Sequence, residues 1–410
     1  MIRDPEQFDR FLGTVAAFVR DHCIPAEERT ERDDEVPEAV VEHMRRAGYF
    51  GWSIPREYGG AGFTAEELVL AAFELSRCTP AFRARVGTNT GIGSTALIAH
   101  GTDEQRKRYL PGLAAGELTG CFALTEPQAG SDATALTTTA VRAGECYLLN
   151  GTKCLITNAP IADLFTIFAR TSGGPRGAEG ISAFLVERGA PGLTTSAPYQ
   201  KMGQAGSPVG EVRLNDCRVP ADALLGKQEG NGFAAAMTTL TKQRIHLAAL
   251  CVGPALRALG EAVNHAVQRH QFGQRVADLQ LVQAMIADSR TEIYAARSMV
   301  LDAARRHDQG EDVRMQASMC KYFASEMCGR VTDRAVQILG GAGYLAGTPV
   351  ERLYRDARLF RLYEGTSQIH QITIAKLATR ELAAQATTPT PGMPAKPAAD
   401  HGVPALQPSS

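Results

Sequence analysis

Apolar residues recur three and four positions apart at Phe8, Phe11, Leu12, Val15 and Phe18, the spacing that gathers side chains on one face of an α-helix. Punctuated helical patterning continues to about Gly116, so residues 1–120 are expected to form an α-helical domain. Its connectors carry breakers at Ile54-Pro55 and in the run Tyr58-Gly-Gly-Ala-Gly62. Thr64 followed by Glu67 reads as a capping box that starts a helix running to about Arg77. Past Gly120 the pattern shortens to apolar runs at 147–149, 155–157, 164–169, 181–186 and 212–214, which predict strands of a middle β domain over 121–228. Asn150-Gly151 predicts a two-residue hairpin between the first two runs, because both residues tolerate positive φ. Helical spacing returns at Ile245, Ala249, Val252, Leu256, Leu259 and Val263, then at Leu279, Val282, Ile286, Ser289, Ile293, Ala296 and Val300. Residues 229–384 are therefore expected to form a helical bundle. Gly253-Pro254 should bend or end its first helix, since proline removes a donor and crowds the preceding turn. From Gln385 the chain turns to Pro, Ala, Thr and Ser, and 385–410 are expected to be a disordered tail. The fold class is mainly α with a central β domain.

Composition narrows the function without selecting it. A net charge of -1 gives no general attraction to polyanions, so no nucleic-acid partner is expected. The first twenty residues carry Asp4, Glu6, Asp9 and Arg10 among their apolar positions and do not read as a signal peptide. No later stretch reads as long enough to span a bilayer. Nine cysteines, with no CxxC pair, fit a reduced, cytoplasmic setting, and nine histidines without metal-ligand spacing predict no metal site.

Four segments carry candidate chemistry. Cys121-Phe-Ala-Leu-Thr-Glu-Pro-Gln-Ala-Gly-Ser-Asp132 offers hydroxyls and backbone amides suited to a polar ring edge. Lys153-Cys-Leu-Ile-Thr-Asn158 is a short strand-like run. Arg269, Gln271, Phe272 and Gln280 precede a later segment, Gln337-Ile-Leu-Gly-Gly341; arginine suits a diphosphate, and glycines admit close backbone approach. Leu359-Phe-Arg-Leu-Tyr-Glu-Gly-Thr-Ser-Gln-Ile-His370 holds a glutamate in a Tyr-Glu-Gly turn. Each segment alone has an ordinary structural explanation, as a surface turn, a strand, a helix cap or a solvated glutamate.

Together, in this order, they resemble the acyl-CoA dehydrogenase family from about Phe8 to Ala384. The resemblance implies an N-terminal helical domain, a β-barrel-like middle domain and a C-terminal four-helix bundle, with FAD as cofactor. It implies that Phe122, Leu124, Thr125, Gly130, Ser131, Leu155, Ile156 and Thr157 border the flavin. It also implies that Arg269, Gln271, Phe272, Gln280, Gln337, Gly340 and Gly341 reach the cofactor's diphosphate and adenine across a subunit interface, in a dimer or tetramer. Gly365, Thr366, Ser367 and Gln368 would complete the flavin site, and Ser131, Thr241, Arg244 and Gly365 would touch substrate. By the same resemblance Glu364 takes the α proton of a saturated acyl-CoA, while a hydride leaves the β carbon for flavin N5. Electrons would then pass to electron-transfer flavoprotein or another acceptor. The chain departs from the family at Leu155, where an aromatic residue is usual. On the helix where some relatives carry the base it has Gln243, leaving Glu364 as the matching base. Thr88-Asn-Thr-Gly-Ile-Gly-Ser-Thr95 is rich in small residues and is expected to leave room for a bulky or long acyl chain. An oxygen-using oxidase, an enzyme of carrier-protein-bound acyl groups, and a non-catalytic flavin-holding subunit are the competing readings.

Overall fold

A computed structural model describes residues 1–171 and 177–387. The N-terminal domain is built of α1 (Pro5–Phe18), α2 (Ile24–Asp33), α3 (Glu38–Arg46), α4 (Ala65–Leu75), α5 (Pro80–Gly87), α6 (Ile92–His100) and α7 (Asp103–Ala115). Its starts are set by side chains that satisfy orphan backbone donors: Asp4 caps α1, and the Thr64/Glu67 and Thr102/Gln105 capping boxes open α4 and α7. Between α1 and α2 the backbone makes a π turn, Ile24 N–H bonding to Val19 O. This absorbs Pro25, which has no N–H to offer an α-helical ladder. Phe18, Met44, Tyr49, Trp52 and Phe82 pack the domain's core.

The middle domain is one curled sheet of β1 (Gly120–Ala123), β2 (Thr139–Ala143), β3 (Cys146–Thr157), β4 (Leu164–Thr171), β5 (Ile181–Glu187), β6 (Leu193–Thr195) and β7 (Val209–Pro220). The order is β1-β4-β2-β3-β7-β6, with β5 on β4. The hairpin expected at Asn150-Gly151 does not form there. Residues 147–149 and 155–157 belong to a single strand, β3, and the β2–β3 turn falls at Gly144-Glu145, where Ala143 pairs with Cys146. Asn150-Gly151 instead sits at a register shift against β7. Asn150 exchanges hydrogen bonds with Asp216, and a Cβ on Gly151 would lie 2.4 Å from Thr138 Oγ1. The pair was selected by a bulge and a close approach, which ask for the same residue types as a turn.

The C-terminal domain contains α8 (Gly232–Gln268), a small ribbon of β8 (His270–Gln271) and β9 (Gln274–Arg275), then α9 (Gln280–Asp308), α10 (Arg314–Leu339), α11 (Gly341–Tyr344), α12 (Pro349–Ala357) and α13 (Ser367–Thr387). Helices α8, α9, α10 and α13 make the four-helix bundle, and Val69 and Phe73 of α4 join its core. Pro254 does not end α8, which runs through it. The neighbouring Gly253 is explained by Ser76, the residue that caps the C-terminal end of α4, whose Oγ would stand 2.1 Å from a Cβ there. Contrary to expectation, α8 is long and apolar enough to cross a membrane, but 78% of its apolar window is buried inside the fold, as befits a core helix. Of the expected tail, Gln385 to Thr387 continue α13, and 388–410 lie outside the described residues.

The three domains meet at one carboxylate. Asp356, at the end of α12, is fully buried and accepts hydrogen bonds from Thr79 Oγ1 of the first domain (2.8 Å) and from the backbone N–H of Gln204 of the second.

Candidate functional site

The turn between α12 and α13 carries Glu364 in left-handed backbone conformation, φ +54, followed by Gly365 at +97. A glutamate pays for that conformation with strain, which persists only where neighbours enforce it. Here Arg244 Nε of α8 donates to Glu364 O (3.4 Å), Lys321 Nζ of α10 donates to Gly365 O (2.5 Å), and the buried ring of His370 lies against Gly365. The Glu364 side chain faces a cavity, yet its Oε2 is shielded and has no hydrogen-bond partner among the described residues. Burial raises its pKa above the ordinary value, against the opposing charges of Arg83, Lys321 and Arg244. Burial also lowers Lys321 to about 8. His370 falls to about 3, chiefly by burial and then by Arg244 and Lys321, and so is neutral.

The cavity, about 480 Å³, brings together half of the sequence-derived residues. Phe122, Leu124, Thr125, Gly130, Ser131, Leu155, Ile156 and Thr157 form its β-domain wall, facing Arg244, Glu364 and Gly365. An adjoining cavity of about 830 Å³ shares Thr125, Leu155, Thr157 and Glu364 and adds Thr366. Leu155, at φ +56, leaves its side chain 66% exposed in this wall. The two β-domain segments are tied by Cys154 N–H to Thr125 O (3.0 Å). Behind them lies a buried ion pair that sequence reasoning missed. Lys153 Nζ is 2.8 Å from Glu126 Oε1 and also donates to Leu124 O, while Glu126 accepts the N–H groups of Thr137 and Thr138. Both partners lie in quoted segments, but nothing in the sequence pairs them.

Other expected residues stand elsewhere. Thr241 does not line the cavity: its Oγ1 bonds back to Met237 O, while Met237, Leu240 and Arg244 share the facing side of α8. Ser367 turns its hydroxyl to Glu326 (2.6 Å), and Gln368 is exposed. Arg269, Gln271 and Phe272 lie on or beside the β8–β9 ribbon, with Phe272 91% exposed, and neither they nor Gln280, Gln337, Gly340 and Gly341 line either cavity. Val276 and Ile338 pack in one cluster that brings these two segments to the same end of the bundle. Of the small-residue segment after α5, Thr88 and Ile92 line the cavity, while its two glycines face inward to close contacts. A Cβ on Gly91 would meet Gln243 Oε1 at 2.5 Å, and one on Gly93 would meet the backbone of Thr88 and Gly120, so the smallness of these two glycines serves close packing. Gln243 is buried and points to Thr95, away from the cavity. Arg83 and Lys321, which no motif singled out, stand beside Glu364 instead. Among the described residues no His, Cys, Asp or Glu group could hold a metal ion.

Comparison with known proteins agrees with this arrangement. The N-terminal, middle and C-terminal domain models of acyl-CoA dehydrogenase match residues 5–117, 121–217 and 230–379. An acyl-CoA dehydrogenase of Bacillus subtilis is 42% identical over 362 residues, 88% of this chain and 95% of that one. The caffeyl-CoA reductase-Etf complex subunit CarC of Acetobacterium woodii is 38% identical, over 86% of this chain and 93% of its own. The solved structure of butyryl-CoA dehydrogenase from Megasphaera elsdenii superposes with a TM-score of 0.87 at 33% identity, covering 91% of this chain and 98% of that one. With every domain matched in order and relatives this similar across nearly their whole length, the chain belongs to the acyl-CoA dehydrogenase family of flavoprotein oxidoreductases.

Proposed function

We propose that this enzyme binds FAD and oxidises a saturated acyl-CoA to the trans-2-enoyl thioester, with Glu364 as the base. The observation that carries the reading is the Glu364 carboxylate, shielded, unpartnered and held on a strained turn opposite Thr125 and Leu155. The walls fit the cofactor: Leu155 is a large apolar side chain left bare in a cavity, and the hydroxyls of Thr125, Ser131 and Thr157 border the same space. FAD, when bound, supplies the hydride acceptor. Glu364 takes the α proton of the thioester, and its backbone N–H would donate to the thioester oxygen, which acidifies that carbon. Arg244 and Lys321 hold the turn by its carbonyls and add positive charge beside the carboxylate.

Exposed Phe272, with Arg269 and Gln280 away from the cavities, supports a homo-oligomer in which these residues reach a neighbouring subunit's cofactor. The relative from an Etf complex supports electron-transfer flavoprotein as acceptor, and nine free thiols support a reducing, cytoplasmic setting. That relative's name also favours a second reading, reduction of an enoyl thioester, in which protonated Glu364 returns the proton it would otherwise take. Anaerobic mixing of the FAD holoenzyme with a panel of acyl-CoAs tests the first reading. Bleaching of the oxidised flavin band, abolished by Glu364→Gln, is expected. If the flavin bound normally and no acyl-CoA bleached it, the reading would be wrong.

A further inference from the structure

Lys153 carries a wholly buried ammonium that the proposed chemistry does not use. It lies on β3, behind the β-domain wall of the cavities, paired with the equally buried Glu126. A buried ion pair is a poor source of stability. Desolvation of the two charges offsets most of their attraction, and an apolar pair of similar volume would hold the fold as well. What such a pair does supply is direction, since an ammonium and a carboxylate can each bind several fixed groups at once.

Those groups surround one residue. Lys153 Nζ donates to Leu124 O at 3.2 Å and to Glu126 Oε1 at 2.8 Å, on either side of Thr125. The N–H of Cys154 donates to Thr125 O at 3.0 Å. Glu126 in turn accepts the N–H groups of Thr137 (2.6 Å) and Thr138 (3.0 Å) and the side-chain amide of Gln128 (2.7 Å), which anchor it from beyond the loop. Leu124, Thr125 and Glu126 are thus pinned from one point on β3. Thr125 keeps two donors free: its N–H and its hydroxyl have no hydrogen-bond partner among the described residues, and the residue lines both cavities.

From this we infer that Lys153 is a positioning residue for the cofactor: by clamping Leu124 and Glu126 it aims the free N–H and hydroxyl of Thr125 into the cavities proposed to hold the flavin, and so sets how tightly FAD is bound. The inference rests on the FAD-binding reading and deepens it, assigning a role to a residue that stands behind the wall. Hydrogen bonds need a donor within about 2.7–3.2 Å of its acceptor and weaken steeply when misaligned. A small drift of Thr125 would therefore forfeit what its two donors contribute.

The test is a double-mutant cycle on the full-length protein, read as the dissociation constant for FAD by flavin fluorescence. One arm removes the pair together, Lys153→Met with Glu126→Gln, so that no carboxylate is stranded and the new amide still accepts from the loop. The other arm is Thr125→Val. Each should weaken FAD binding by about tenfold, the contribution of roughly one well-made hydrogen bond. Because Lys153 acts through Thr125, all three changes together should also lose about tenfold, far short of the hundredfold product expected of independent sites. Lys153→Gln takes the place of Lys153→Met if the methionine protein does not fold. FAD affinity unchanged by removing the pair, or losses that multiply, overturns the clamp and leaves the FAD reading standing. Failure of wild type to bind FAD overturns both. If wild type holds FAD but oxidises no acyl-CoA, the dehydrogenase reading fails and the cycle still decides the clamp.

Discussion

Lys321 Nζ stands 2.5 Å from the carbonyl oxygen of Gly365, the residue directly after Glu364. One ammonium thus fixes the backbone on which the base is mounted and adds positive charge beside its carboxylate. Both effects act on the same few atoms.

Lys321→Met should therefore lower kcat by roughly a hundredfold, the cost of letting a reacting group drift by about 1 Å. Flavin content should be unchanged. Losing the nearby charge should also move the rising limb of the pH–rate profile to higher pH, and Lys321→Arg should restore part of both. A pH profile unmoved by Lys321→Met would show that the lysine supports only the fold.

Burial raises the Glu364 pKa in the folded state, and the base must be ionised to act. Turnover should rise with pH through a midpoint above the usual carboxylate range. Stability runs the other way. A group whose folded pKa is raised stabilises below its unfolded value and loses that contribution as pH climbs through the folded one. Glu364→Gln, inactive in turnover, should then be more stable than wild type near neutral pH by about 1 kcal/mol, read as a higher Tm.

Lys153 and Glu126 face each other behind the cavity wall with almost no exposure. Burial opposes ionisation of Glu126, yet the charge and hydrogen bond of Lys153 hold its pKa down to about 2. A depressed carboxylate stabilises above its unfolded pKa and loses this as pH falls toward the folded one. Lys153→Met strands the carboxylate and should destabilise by about 3 kcal/mol at neutral pH, with the deficit shrinking in acid. Denaturant midpoints at two pH values measure both.

Phe272 is 91% exposed at φ +51 at the tip of the β8–β9 ribbon. Phe272→Asp should shift the protein toward monomer in sizing experiments and lower its FAD content together, because the same ribbon would serve interface and cofactor. A monomeric variant that retained FAD as tightly as wild type would separate the two roles.

Helical periodicity and capping made α1, α4, α8 and α9 legible, since their signals are local. The hairpin at Asn150-Gly151 was misplaced because bulge and turn draw on the same residues, and only the partner strand β7 tells them apart. Pro254 does not end α8 because tertiary packing holds the helix through it. In the site, Glu364, Thr125 and Leu155 could be placed from contiguous segments. Thr241 failed by one position on a helix face. Arg83 and Lys321 were invisible for another reason: each is an ordinary residue of its own helix, and its meaning comes from a turn 281 or 43 residues further along the chain. A faint local trace of Arg83 exists in Gly87, one helical turn on.

Asp356 gives the architecture a mechanical consequence. Because Thr79, Gln204 and Asp356 come from three different domains, the domain boundaries are seams that share one knot, reinforced by cross-links such as Asn158 to Ala84 O and Gly206 N–H to Asp34, and none of them is a free hinge. Cutting that knot with Asp356→Ala would slacken all three walls of the cavity together, so heat should release flavin from such a variant well before the helices melt.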